Sequence, residues 1–356
     1  MCIGGELMSI FEEDILYLAE LEVLNKLAGK KILITGSTGM IASYMIKVLL
    51  KYNEMHKSNK CKIIAVCRNL KKVKEVFGED FASKDIEFVY GDVCELTEIK
   101  SEIDIIIHAA SNTAPEIYKS NPVDTYLANT VGTNRMLEIA LKKKTECFLY
   151  LSSASVYGNV TSNILREDNV GIIAFYDHKN SYSESKRMGE NMCMSYYAQY
   201  GLPIKIVRPF HMYGPGMSKI NGNMFAEFIS KIENNQNIIL KSRGTKFRNF
   251  TYLRDSIFQM FYVLCLGKEG EIYNIGNTDA TSTVKDFAQS MLDSVPERKL
   301  IIEYHLGEQV IPSNSNDMIP GLSKIESLMS KEENVFLGIK DGIERWMLYE
   351  RERSCK

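Results

Sequence analysis

The segment Ser181-Tyr182-Ser-Glu-Ser-Lys186 puts a phenol and an ammonium four residues apart, a spacing that sets both on one face of a helix. A free phenol ionises near pH 10 (~10) and is a poor base at neutrality, and a neighbouring ammonium favours its phenolate. Tyr182 assisted by Lys186 is thus suited to taking a proton from a substrate hydroxyl while hydride leaves the same carbon for a nicotinamide. Ser153, in Ser152-Ser153-Ala154-Ser155-Val156-Tyr157-Gly158, follows an apolar run and can hydrogen-bond the reacting oxygen and orient it toward Tyr182.

Upstream, Lys31-Ile-Leu-Ile-Thr35 runs into Gly36-Ser37-Thr38-Gly39-Met40-Ile41-Ala42 and then into helical periodicity. A glycine turn between a strand and a helix brings backbone amides to a pyrophosphate, where the helix dipole favours an anion. Ala42 stands where a third glycine would give the closest helix packing. The next strand ends Ala65-Val-Cys-Arg68-Asn69, without the carboxylate that an NAD site uses to hold the ribose 2′-hydroxyl. A guanidinium there suits the 2′-phosphate of NADP, so Arg68 tilts the expectation from NAD toward NADP.

Those residues need a scaffold. Residues 32–35, 62–67, 86–90, 103–108, 147–152 and 204–207 read as apolar strands buried on both faces; residues 41–52, 71–77, 124–142 and 181–200 carry helical periodicity. Strand alternating with helix predicts a doubly wound α/β fold with a parallel sheet and right-handed crossovers. One amphipathic helix is expected over residues 11–27, stopping at Gly29 and covering an edge of the domain. After Pro209 the pattern predicts loops at 214–222 and 243–250, helices near 224–234 and 252–266, and a Ser- and Asn-rich loop at 312–320 before a final helix.

Composition narrows the function classes. The chain has 356 residues, 45% of them hydrophobic and 25% charged, as in an ordinary globular protein. Its 43 Lys and Arg against 45 Asp and Glu leave a net charge of -2, no field for a nucleic-acid backbone. Apolar runs fall far short of the roughly 20 residues that span a bilayer, and no basic start precedes an apolar signal segment, so a cytoplasmic setting without membrane contact is expected. Eight cysteines without a C-x-x-C pair and five scattered histidines give neither a disulfide framework nor a metal-ligand spacing, and no metal is expected. His108, in an apolar turn, reads as structural.

Over residues 30 to 345 the chain resembles the extended short-chain dehydrogenase/reductases that modify nucleotide-activated sugars. The resemblance is carried by Thr35-Gly36-x-x-Gly39, Gly91-Asp92-Val93, His108-Ala-Ala110 with Asn129, the Ser153, Tyr182 and Lys186 set, Arg208-Pro-Phe-His-Met-Tyr-Gly-Pro215, Arg248-Asn-Phe-Thr-Tyr252-x-x-Asp255 and Asn274-Ile-Gly276. It implies a Rossmann lobe over 30–209 with a return segment near 251–277, preceded by a helical extension over 1–29. It further implies a smaller substrate lobe from 210–250 and 278–356. The cofactor would meet Gly36 to Ile41, Arg68, Asn69, Asp92, Val93, Ala109 to Ser111, Asn129, Tyr182, Lys186 and Pro209. The substrate, a nucleoside-diphosphate sugar, would meet Asn112, Thr113, Ser155, His211 and Arg248. Members also commonly pair the helices from Asp124 and around Tyr182 into a homodimer, for which Met188, Met192 and Tyr196 offer a buried stripe.

Departures from the family pattern narrow the reaction. The 4,6-dehydratases carry an Asp and a Glu directly after the serine position; here these are Ala154 and Ser155. Decarboxylating members keep a Glu, and 3,5-epimerases a Cys, where Ser155 stands. Lacking such groups, elimination would lose proton transfers worth about 100-fold or more each. What is left resembles a 4-epimerase, or a sugar 4-ketoreductase that needs only the triad. His211 replaces the usual Asn beside the substrate phosphate.

Overall fold

The computed structural model describes residues 2–3, 6–217, 222–306, 316–330 and 332–354. In chain order the elements are α1 (Ile10–Ala19), β1 (Lys31–Thr35), α2 (Met40–Met55), β2 (Lys62–Cys67), α3 (Leu70–Phe77), β3 (Ile86–Tyr90), β4 (Ile105–His108), α4 (Pro115–Ser120), α5 (Pro122–Lys143), β5 (Cys147–Leu151), α6 (Ser181–Tyr200) and β6 (Ile204–Pro209). There follow β7 (His211–Tyr213), α7 (Met224–Glu233), β8 (Ile238–Leu240), β9 (Phe247–Tyr252), α8 (Leu253–Leu266), β10 (Glu271–Ile275), β11 (Thr281–Thr283), α9 (Val284–Asp293), β12 (Ile302–Tyr304) and α10 (Ile339–Ser354).

Seven strands form one parallel sheet in the order β10-β6-β5-β4-β1-β2-β3. In the five inner strands the Ile, Leu and Val side chains are buried on both faces, which is why these strands read as continuous apolar runs. Strand order reverses between β1 and β4, and crevices at such switch points are where α/β sheets take ligands. The ladder of β4 begins at Ile105 rather than Ile103, because Asp104 Oδ2 accepts from Lys31 N–H at 2.7 Å.

A second group of elements packs around an aromatic core of Tyr213, Phe225, Phe250, Phe287 and Trp346. Here β7 runs parallel to β9, β9 antiparallel to β11, and β8 parallel to β12. Helix α8 belongs to the core of the main sheet, and β10 is that sheet's edge strand beside β6.

Three expectations change. Residues 11–27 are not one helix: α1 ends at Ala19, Leu21 takes an extended backbone, and a 3-10 turn over Glu22–Leu27 brings Val23, Leu24 and Leu27 into the same core as Ile15 and Leu18. Helix α1 is also more than an edge cover, since buried Asp14 accepts from Tyr252 Oη at 2.7 Å and from Arg345 Nη2 at 2.7 Å, tying α1 to β9 and α10. The loop expected at 243–250 is largely strand, as β9 begins at Phe247. Within the expected loops at 214–222 and 312–320, residues 218–221 and 312–315 lie outside the described residues; Ile319–Pro320 pairs with Ile164–Leu165. Among the described residues no helix is long and apolar enough to cross a membrane.

Candidate active site

The turn after β1 is built around Gly36, whose φ of +65° and close packing exclude a side chain: a Cβ there would lie 2.8 Å from Ala110 Cα. Gly39 N–H donates to Gly36 O at 2.8 Å, and Ser37 anchors the turn to β2 by donating N–H and Oγ–H to Val66 O at 3.2 and 3.0 Å. Helix α2 then starts with neither a side-chain cap nor an acid in its first turn. The amides of Met40 and Ile41 are therefore left to a ligand or water, beside the backbone of Thr38. Ser111 Oγ and Asn129 Oδ1 are buried without a protein partner at the carboxyl side of the same switch point. A glycine-walled turn, free helix amides and unpaired polar atoms fit a dinucleotide.

At the end of β2, Arg68 is exposed and its Nη1 donates to Asp92 Oδ2 at 3.3 Å; Asn69 caps α3 by accepting from Lys72 N–H at 3.1 Å. Burial alone would raise the Asp92 carboxyl, but hydrogen bonds from Cys94 and the Arg68 guanidinium outweigh it and hold the group below the usual carboxylate range. Val93 is fixed against α5, where a Cβ on Gly132 would come within 2.7 Å of it. Ala109 and Ala110 donate their N–H groups to Thr35 Oγ at 3.1 Å each, and Pro209 closes β6.

Ser153 follows β5 and its Oγ accepts from Ser155 N–H at 3.1 Å. Tyr182 stands in the first turn of α6, near enough to Ser153 for the serine to act on its phenol. Burial pushes the Tyr182 phenol up to about 12; Ser153 opposes the rise and Tyr118 adds to it. Lys186 is buried one turn on, with Nζ donating to Leu151 O at 2.6 Å and lying 4.9 Å from the Tyr150 ring centre. Burial brings its ammonium down to about 7, against a raising influence from Glu190. The expected lowering of Tyr182 by Lys186 is thus not found: desolvation dominates the phenol, and the lysine is turned to a carbonyl.

On the other side of the crevice, His211 on β7 and Arg248 on β9 lie close enough for the guanidinium to act on the imidazole. Burial first, and Arg248 second, bring His211 down to about 4. His211 Nδ1 and Ser155 Oγ are buried without protein partners, while Arg248 Nη1 donates to Phe247 O at 2.7 Å and Asn316 O at 3.0 Å. Asn112 is half-buried and Thr113 exposed, just before α4. Among the described residues no cluster of His, Cys, Asp or Glu could hold a metal ion.

Two features escaped the sequence reading. Tyr118 of α4 stacks on Tyr182, with ring centroids 5.4 Å apart, and no pattern links residues that far apart in the chain. Glu190 accepts from Arg208 Nε and Nη2 at 2.8 and 2.7 Å in a buried pair, with the guanidinium 4.8 Å over the Tyr157 ring. That pair joins α6 to β6. Its signal was Glu190 standing four residues after Lys186 on the same helix face.

Residues 32–276 match the profile of the NAD dependent epimerase/dehydratase family. The chain is 28% identical over 274 residues to the human dTDP-D-glucose 4,6-dehydratase, covering 76% of this chain and 75% of that protein. It is 27% identical over 310 residues to UDP-glucuronic acid decarboxylase 6 of Arabidopsis thaliana, covering 87% and 86%. Its fold resembles UDP-glucuronic acid 4-epimerase of Bacillus cereus, solved with UDP-glucuronic acid and NAD (TM-score 0.76, 23% identity, 91% of this chain and 99% of that one). It also resembles UDP-N-acetylglucosamine 4-epimerase of Methanobrevibacter ruminantium (TM-score 0.78, 15% identity, 92% and 99%). With the profile spanning well over half of its length and a Rossmann-type sheet beneath the glycine turn, the chain belongs to the NAD dependent epimerase/dehydratase family, the extended short-chain dehydrogenase/reductases.

Proposed function

We propose that the protein inverts the hydroxyl-bearing C4 of a nucleoside-diphosphate sugar. The observation that carries this reading is the gathering of Ser153, Tyr182 and Lys186 beside two positions, Ala154 and Ser155, that offer no carboxyl group. Relatives named as dehydratases and decarboxylases match the chain in sequence, yet positions 154 and 155 carry no carboxyl group to move water or support decarboxylation.

Gly36 to Ile41, Asp92, Val93, Ala109 to Ser111, Asn129 and Pro209 would hold the dinucleotide, with Arg68 and Asn69 at its ribose. When bound, the nicotinamide supplies hydride acceptance and return at the sugar carbon. Tyr182 Oη takes the proton of the C4 hydroxyl and later returns one to the 4-keto oxygen, while Ser153 Oγ–H orients that oxygen. Lys186, whose Nζ donates to Leu151 O one turn from Tyr182, would hold the ribose. His211 and Arg248 bind the diphosphate, and Asn112, Thr113 and Ser155 meet the sugar. Residues 210–250 and 278–356 then form the substrate lobe. Exposed Tyr126, Leu127 and Val131 on α5 and Met188 on α6 supply the face of a homodimer. Arg68 inclines the cofactor toward NADP, and the setting is cytoplasmic.

One observation favours a second reading, an NADPH-dependent 4-ketoreductase: a phenol pushed up to about 12 is held as a proton donor, the role Tyr182 plays when a keto sugar is reduced. Denaturing the purified protein and identifying the nucleotide it releases separates the two. Near-stoichiometric NAD(P) supports a cycle that regenerates its cofactor. An empty protein that oxidises NADPH only with a 4-keto-sugar nucleotide overturns epimerisation in favour of reduction.

A further inference from the structure

Thr35 and His108 end adjacent strands and stand opposite one another in register across the switch point. Thr35 Oγ accepts from the N–H groups of Ala109 and Ala110, each at 3.1 Å, so both of its lone pairs are engaged. Its single proton then goes to His108 Nδ1, 2.8 Å away. A neutral imidazole accepting at Nδ1 carries its proton on Nε2, and Nε2–H donates to Thr133 Oγ at 3.1 Å. Thr133 donates in turn to Asn129 O at 2.7 Å. The Asn129 side-chain amide donates to Ser185 Oγ at 2.9 Å, and Ser185 Oγ–H to Tyr182 O at 3.1 Å. From Thr35 through His108 and Thr133 to Asn129 O each bond has one possible direction, and Thr35, His108, Asn129, Thr133 and Ser185 are all buried.

We infer that His108 is a positioning residue that ties the glycine turn and its neighbouring amides at one end to the first turns of helix α6, with Tyr182, at the other. The inference rests on the reading of Gly36 to Ile41 as the cofactor site and of Tyr182 as the acid/base. Only a group that accepts on one side and donates on the other, across the width of a ring, closes the run. Burial keeps the imidazole neutral, down to about 3, so the donor pattern persists at neutral pH. In low-dielectric surroundings such a satisfied network fixes geometry more firmly than its members do singly.

The two ends can be cut separately. His108→Asn keeps an acceptor toward Thr35 and loses the reach to Thr133, as does the isosteric Thr133→Val from the other side; His108→Gln keeps a donor toward Thr133 and loses Thr35. The readouts are NAD and NADP affinity by calorimetry, amide hydrogen exchange of the Ser185 to Gly189 segment, and the ring tautomer by nitrogen–carbon NMR. His108→Gln is expected to weaken dinucleotide binding about tenfold and leave exchange in α6 within about twofold, the size of one lost buried hydrogen bond. His108→Asn and Thr133→Val are expected to do the reverse, and His108 to show the Nε2–H form. An Nδ1–H form, or variants whose affinity and exchange change together in step with lost melting temperature, would overturn the inference while leaving the proposed function standing. Wild-type protein with no affinity for either dinucleotide would remove the reading beneath it as well.

Discussion

Tyr118 and Tyr182 lie ring over ring, their planes within 16° and their centroids 5.4 Å apart. The stack adds an apolar wall to one side of the Tyr182 phenol and contributes to holding its ionisation high. It also braces the phenol from a six-residue helix, α4, that is itself exposed along most of its length. Tyr118→Phe should keep the stack and lose less than about threefold in turnover, whereas Tyr118→Ala should lose about tenfold or more, the size of one aromatic pair worth about 1 kcal/mol plus the water it admits. Steady-state kinetics of the two variants checks this, and equal losses would show that the hydroxyl, not the ring, matters.

The Glu190–Arg208 pair gives a stability prediction. Glu190→Gln leaves a buried guanidinium without its counter-charge and is expected to cost about 3–5 kcal/mol in urea unfolding. The double change Glu190→Leu with Arg208→Met removes both charges and should cost less than the single change. A double variant weaker than the single one would mean that Arg208 stabilises mainly through Tyr157 and the Glu167 carbonyl.

Acid lability follows from two imidazoles. His108 is brought down to about 3 and His211 to about 4, from an ordinary 6.5, by burial, with Lys186 and Arg248 respectively adding to it. Below about pH 6.5 the unfolded chain binds protons at both sites and the folded chain does not, so their contribution to stability is present above that pH and is lost as pH falls toward 4 and 3. Each should steepen the loss by up to about 1.4 kcal/mol per pH unit. Urea midpoints measured from about pH 7 to 5 should fall less steeply in His211→Asn, and an unchanged slope would mean that His211 takes up its proton in the folded state.

Arg68 makes the cofactor choice testable. It stands exposed beside Asp92, free to turn to a 2′-phosphate. Arg68→Ala should weaken NADP about tenfold or more, the value of a charge-assisted bond to phosphate, and NAD by less than about twofold. Equal affinity losses for both, measured by calorimetry, would show that Arg68 does not read the 2′-phosphate.

Much of the main sheet was legible because parallel strands buried on both faces must be apolar throughout. Ile32 to Thr35 and Lys62 to Cys67 declare themselves, and the glycines of the first turn follow from the space their backbone leaves. The strands around His211 and Arg248 were not legible: His211–Tyr213 is three residues long, and Phe247–Tyr252 interrupts its apolar positions with Arg248, Asn249 and Thr251. The break at Leu21 was hidden because Val23, Leu24 and Leu27 suit either one long helix or a turn back into the same core. At the candidate site, residue types single out Ser153, Tyr182 and Lys186. The direction in which Lys186 points, to Leu151 O, and the partner that Tyr118 finds are contacts between segments distant in the chain, set by packing rather than by spacing.

Hydride cycling at C4 under the control of Tyr182 can be measured on the purified protein. The direct measurement is to incubate the protein with UDP- and dTDP-hexoses of each C4 configuration, separate the products by chromatography, and repeat with Tyr182→Phe. Interconversion of C4 epimers with no net change in nicotinamide absorbance, falling at least about 100-fold in the variant while dinucleotide affinity holds, is the predicted result. No C4 interconversion with any of these sugars, or turnover that survives loss of the Tyr182 hydroxyl, would contradict C4 epimerisation by Tyr182.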